Sequence, residues 1–61
     1  MKVVFRERDG VIVGVGQGGR RWRVTRARCG WRLDFRDLGD VRPTYAGTFG
    51  SLAAAINEAR R

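Results

Sequence analysis

Apolar and polar residues alternate along most of the chain. From Met1 to Arg8, Val3 and Phe5 fall on one side and Lys2, Arg6 and Arg8 on the other, joined by Val4, a period of two that predicts a strand. Asp9-Gly10 then supplies the dipeptide that best tolerates the positive φ angles of a two-residue hairpin turn, and Val11-Ile12-Val13 resumes the β-branched run. Residues 1–15 therefore read as a hairpin. Between Gly14 and Gly19 four of six residues are glycine, which disfavours any regular element and predicts a loop or sharp bend, with Val15 ending the strand.

Alternation returns at Arg20 to Ala27, where Trp22 and Val24 oppose Arg21, Arg23 and Thr25. Arg28-Cys29-Gly30 interrupts it, and Trp31, Leu33 and Phe35 then interleave with Arg32, Asp34 and Arg36 in the cleanest period-two pattern of the chain. Asp37-Leu38-Gly39-Asp40 is turn chemistry. Val41 to Ala46 predicts a fifth strand with Val41 and Tyr45 inward and Arg42 and Thr44 outward; Pro43, which has no amide hydrogen to donate, assigns it to an edge. After Gly47 the period changes to about 3.6, with Leu52, Ile56 and Ala59 on one face and Phe49 just before them. These positions predict a helix over 50–60, with Ser51 as N-cap, Ala53 to Ala55 favouring helix, and Arg60 and Arg61 at the negative end of its dipole. Such a short helix is marginal alone and must lay its Leu52/Ile56 stripe on the sheet.

The fold class expected is α+β: a small antiparallel sheet or partly open barrel of four to five strands with one C-terminal helix packed on it, in the order β-β-β-β-β-α. The 61 residues leave room for one core, so residues 1–61 read as one small basic domain comprising the hairpin 1–15, a three-stranded sheet over 20–46 and the helix. Val4 and Ile12 need separate homes, because they are assigned opposite to Val3, Phe5, Val11 and Val13. Either the hairpin curls over the main sheet into a small barrel, or Val4 and Ile12 mark a protein contact.

Charge changes the picture. Thirteen basic residues face six acidic ones, for a net charge of +7, and twelve of the thirteen are arginine. Guanidinium groups grip phosphate bidentately and stack on flat rings, whereas an ammonium does neither. A high-GC genome also inflates Arg, Gly, Ala and Val, so the location of the charges matters more than their number. If Trp22, Val24, Trp31, Leu33, Phe35, Val41 and Tyr45 face the helix, alternation drives Arg21, Arg23, Thr25, Arg32, Asp34, Arg36, Arg42 and Thr44 outward. Five guanidinium groups on one sheet face form a concentrated positive surface, and sheets enter DNA grooves with arginines on phosphates or guanine edges and threonines on shorter hydrogen bonds. Arg21, Arg23, Thr25, Arg32, Arg36, Arg42 and Thr44 are thus the candidate nucleic-acid-binding residues. The competing reading is a merely solvated face, and Asp34 in its middle opposes phosphate unless neighbours neutralise it.

Other chemistry is poorly supplied. Gly14-Val15-Gly16-Gln17-Gly18-Gly19 matches the G-x-G-x-x-G spelling, but Arg20 to Ala27 alternate like a strand where a dinucleotide site needs a helix. Asp34, Asp37 and Asp40 are spaced for one helix face, yet the alternation around Asp34 and Gly39 contradict a helix, leaving turn-forming and charge-balancing roles beside Arg32, Arg36 and Arg42. With no histidine, one cysteine and one serine, neither nucleophile has an obvious base, so no enzyme, cofactor, metal or small-molecule substrate is expected. Lone Cys29 forms no intramolecular disulfide and fits a reducing, cytoplasmic setting. The first residues meet charge too soon for a signal peptide or a membrane span. Trp22 and Trp31 share the phase of Val24, Leu33 and Phe35, which favours core positions over base-stacking platforms.

Two resemblances attach to these segments. Arg21-Trp22-Arg23-Val24, Gly30-Trp31-Arg32-Leu33-Asp34-Phe35-Arg36-Asp37 and the ending Tyr45-Ala46-Gly47-Thr48-Phe49-Gly50-Ser51-Leu52-Ala53-Ala54-Ala55 resemble the N-terminal, AP2-like arm-binding domains of phage-type tyrosine integrases over residues 20–61. The resemblance implies three antiparallel strands with a C-terminal helix and a sheet docked in the DNA major groove through Arg21, Arg23, Arg32, Arg36 and Arg42. That family has no counterpart of the hairpin from Met1 to Val15. In architecture the whole order also resembles the small archaeal chromatin proteins, which bind DNA through a triple-stranded sheet, although they are lysine-rich and this chain has only Lys2. Composition and size also suit a small gene of a high-GC bacterium or its phage. The expected partner is nucleic acid, DNA over RNA. The alternative is a protein-interaction module, such as a small phage-encoded inhibitor or adaptor binding an acidic host surface, or a homodimer through Val4 and Ile12.

Overall fold

The computed structural model describes residues 3–61; Met1 and Lys2, assigned above to the first strand, lie outside the described residues. Five antiparallel strands sit side by side in chain order: β1 (Val4–Arg8), β2 (Val11–Val15), β3 (Arg21–Ala27), β4 (Gly30–Arg36) and β5 (Thr44–Phe49). One helix, α1 (Leu52–Ala59), packs on a single face of this sheet, over β3, β4 and β5. The sheet is open, with β1 and β5 at its edges, and does not close into a barrel.

Local chemistry accounts for the turns. Arg8 pairs with Val11 across a two-residue loop in which Asp9 and Gly10 take φ of 53° and 80°, the left-handed pair that matches the strands' twist. Glu7 closes the turn by accepting the Gly10 N–H through Oε2 at 2.6 Å. The glycine-rich stretch is a single 3₁₀ turn, Gln17–Gly19, held by the Gly16 N–H donating to the Arg20 carbonyl at 2.7 Å. Its tightness has a large consequence: β2 pairs with β3 from Ile12↔Val24 to Val15↔Arg21, so the hairpin continues the sheet. Gly14 and Gly16 serve close packing, since a Cβ would come within 2.9 Å of Val3 Cγ1 at the first and 3.1 Å of Trp22 Nε1 at the second.

Val24 and Leu33 at the sheet centre are fully buried beneath Ala55 and Ala59, with Phe5, Ile12, Trp22, Trp31, Phe49 and Leu52 around them. Burying each of the two central side chains contributes roughly 1.5–3 kcal/mol. Trp22, Val24, Trp31, Leu33 and Phe35 all lie on the helix side as expected, and the Trp22 and Phe35 rings meet at 5.2 Å. The helix buries Ala55 and Ala59, with Leu52 partly buried against the same core; Ile56, expected in the stripe, is also half-buried but does not join that cluster. The small alanines let the helix backbone approach the sheet. Ser51 caps α1 as expected, its Oγ accepting the Ala54 N–H at 3.1 Å, and Arg60 Nε donates to the Val3 carbonyl at 3.0 Å, tying the helix end to the start of β1.

The fifth strand corrects the expectation. Pro43 has no N–H for a ladder, so pairing with β4 begins after it, at Phe35↔Thr44, and runs on to Trp31↔Phe49. The expected span of Val41 to Ala46 is therefore displaced toward the helix, and Val41 is 87% exposed in the preceding bend. A bulge completes the reversal: Leu33 pairs with Gly47 but Asp34 with Tyr45, leaving Ala46 as the extra residue. Counting back from inward Phe49 by strict alternation puts Tyr45 inside; the extra residue turns it outward and Thr44 to the helix side. Among the described residues, no helix is long and apolar enough to cross a membrane.

Candidate nucleic-acid interface

The face opposite α1 is built by register. One cross-sheet row runs Val4↔Val15↔Arg21↔Arg36, and the next runs Arg6↔Val13↔Arg23↔Asp34↔Tyr45. Arg8↔Val11 and Thr25↔Arg32↔Thr48 complete the face beyond them. Six arginines and four valines thus share a surface that no other element covers.

The arginines on this face divide into two kinds. Arg32 is committed: its Nε donates to Asp34 Oδ1 at 3.1 Å and its guanidinium lies 4.9 Å from the Tyr45 ring centre, while the Tyr45 hydroxyl meets Thr48 Oγ1 at 2.7 Å. Asp34, the one carboxylate of the face, is only 4% exposed. It is buried under its neighbours and its charge is met by Arg32, which removes the objection that it would repel a phosphate. Arg6, Arg8, Arg21, Arg23 and Arg36 are exposed and, among the described residues, form no ion pair. Arg21 and Arg36 are direct cross-strand partners, an arrangement of like charges that destabilises a sheet until an anion lies between them.

These five residues wall a groove of about 660 Å³ whose floor includes Val4, Val13 and Val15, with Pro43 at its margin. Val4 and Val15 are 62% and 61% exposed. Valine side chains are short and arginine side chains long, so the valines form the floor and the arginines rise beside them.

Elsewhere Arg20, Arg26, Arg60 and Arg61 are engaged, whereas Arg28 and Arg42, off this face, are exposed and form no ion pair among the described residues. Arg20 grips Asp37 through Nε–Oδ1 at 2.7 Å and Nη2–Oδ2 at 3.0 Å while its guanidinium lies 4.0 Å from the Phe35 ring centre and 5.6 Å from that of Trp22. The hydrogen bond, more than the charge, holds the Asp37 carboxyl below its usual range and pushes Arg20 further up. Arg26 lies 4.9 Å from the Trp31 ring centre, and Arg61 pairs with Glu58 at 3.1 Å. Asp40 neither neutralises Arg42 nor gathers with its neighbours: its Oδ2 accepts the Asp37 N–H at 3.1 Å inside the turn.

Of the residues expected at a binding surface, Arg21, Arg23, Thr25, Arg32 and Arg36 share the outer face. Arg42 does not, because it sits in the bend before Pro43, and Thr44 pairs with Phe35 on the helix side. Val4 and Ile12 are not neighbours on one face either. Val4 lies in the groove and Ile12 packs against the core, because the two-residue turn sets odd-numbered positions of β2 opposite even-numbered positions of β1. For the same reason Val11 and Val13 share the face of Val4. Arg6, Arg8, Val13, Val15 and Tyr45 were missed as members of this surface. The alternation of Arg6 and Arg8 was visible, but their joining the other arginines depends on how tightly Gly16 to Arg20 turns. Trp22 and Trp31 pack on the helix side as expected; Trp22 contributes to the groove lining, but its ring packs against Phe35 and Arg20.

The chain matches no family model, no curated protein and no solved structure.

Proposed function

We propose that the protein is a small non-enzymatic nucleic-acid-binding module that docks duplex DNA on the groove face of its sheet. The observation that carries this reading is the set of five exposed arginines, Arg6, Arg8, Arg21, Arg23 and Arg36, unpaired with carboxylates around one groove while the only acidic side chain of that face is buried. Phosphate oxygens satisfy such donors, relieve the Arg21/Arg36 repulsion and release counterions.

Fluorescence anisotropy of a labelled duplex at two salt concentrations tests it. If all five arginines meet phosphates, the logarithm of affinity falls with that of salt with a slope of about −4.5. Absence of binding at low salt rejects the proposal. The exposure of Val4 and Val15 favours a second reading, an acidic protein partner that also buries apolar surface. Complexes of that kind survive nuclease treatment of a lysate in a pull-down. A face-to-face homodimer is opposed by ten uncompensated guanidinium groups, five from each copy, and sedimentation checks it.

A further inference from the structure

Phosphate docking explains the walls of the groove but not its floor. Val4, Val13 and Val15 lie among cations on an uncovered face, where solubility alone favours threonine or a charged residue. Their placement is regular. Across the sheet Val13 sits between Arg6 and Arg23, and Val15 lies next to Arg21, so an apolar strip on β2 separates cation pairs on β1 (Arg6, Arg8) and β3 (Arg21, Arg23). Two strand spacings, about 9.6 Å, separate the backbones of the flanking strands, and arginine side chains splay further outward. The DNA major groove is about 12 Å wide between its phosphate walls, and the sole apolar group on its floor is the thymine C5-methyl.

Resting on the DNA-binding reading above, we propose that the valine strip is a base-selective element that packs against thymine methyl groups and makes the protein prefer A·T-rich duplex. Arginines of β1 and β3 hold the two phosphate walls, and the strip between them meets the base edges. A G·C floor offers the valines only polar edges, whose hydration is lost without hydrogen bonds in return. Methyls on the floor restore an apolar contact at the same geometry. The hairpin β1–β2 thereby supplies selectivity while β3 and β4 supply much of the affinity.

The test uses the full chain and three comparisons on two pairs of otherwise identical duplexes. Replacing thymine by uracil in an alternating A·T duplex removes only the methyl, and affinity should fall about fourfold for each methyl fully buried against a valine. Replacing cytosine by 5-methylcytosine in a G·C duplex puts a methyl back on the major-groove floor and should raise affinity by a comparable factor. The third comparison repeats the thymine/uracil pair with the variant V13T/V15T, which keeps side-chain shape and strand preference on an exposed face but adds hydroxyls, and its discrimination should shrink toward one. Equal wild-type affinity for thymine and uracil duplexes and for cytosine and 5-methylcytosine duplexes, alongside salt-dependent binding, overturns the valine proposal and leaves DNA docking standing. Failure to bind any duplex at low salt instead overturns the docking itself, and the two failures are thus distinct.

Discussion

Arginine does different work on the two faces of this sheet. On the helix side and at the sheet's end, Arg20 is locked by Asp37 and two aromatic rings, Arg26 stacks on Trp31, and Arg60 holds the Val3 carbonyl. On the groove side Arg6, Arg8, Arg21, Arg23 and Arg36 meet no carboxylate among the described residues and surround exposed valines. The same side chain is a structural clasp in one place and a solvent-facing cation without a carboxylate partner in the other. A net charge of +7 records neither fact; partner geometry separates them.

Substitution of the groove arginines should break this comparison most strongly. At about 0.9 counterion per phosphate contact, the triple variant R21Q/R23Q/R36Q should flatten the salt slope by about 2.7 and lower duplex affinity at 0.1 M salt by several hundredfold. Circular dichroism should show an unchanged fold, because these side chains form no ion pair and project from an uncovered face. A variant R26Q, altered on the helix side, should change affinity little. Equal losses from both would erase the distinction.

Titrating the Arg20–Asp37 clasp sharpens the other half and carries a smaller effect. Asp37 has its carboxyl held below its ordinary value of 3.8 in the folded chain, first by the hydrogen bond from Arg20. Its contribution to stability is therefore fully present above the unfolded value and is lost as pH falls through the lower, folded one. Urea unfolding of the wild type and D37N should show the wild type more stable at neutral pH and the gap closing in acid below about 3.8. Duplex affinity at neutral pH should be the same for both proteins.

The sequence made strand phase legible wherever one strand's alternation decides it. Trp22, Val24, Trp31, Leu33 and Phe35 lie inward because period two leaves no other arrangement once Leu33 is buried. Asp9-Gly10 and Ser51 carry their turn and cap in their own side chains and backbone preferences. What stayed hidden depends on relations between elements. The bulge at Ala46 is a property of the β4–β5 pair; its signal within β5 is Gly47, at φ of 151° beneath the Phe49 ring, which alternation alone does not register. Ala55 displaces Ile56 from the core because the helix settles close to the sheet, a distance that periodicity does not encode. Arg6 and Arg8 join the candidate surface only because the 3₁₀ turn is tight enough to pair β2 with β3. That one connection converts a separate hairpin and a three-stranded sheet into a single groove.

The guanidinium signals themselves give the most direct test. In arginine Nε–Hε NMR spectra recorded while duplex DNA is added, resonances of Arg6, Arg8, Arg21, Arg23 and Arg36 should shift and saturate together, while those of Arg20, Arg26 and Arg60 stay in place. Shifts concentrated on Arg20, Arg26 and Arg60, or spread evenly over every arginine, would contradict docking on the groove face.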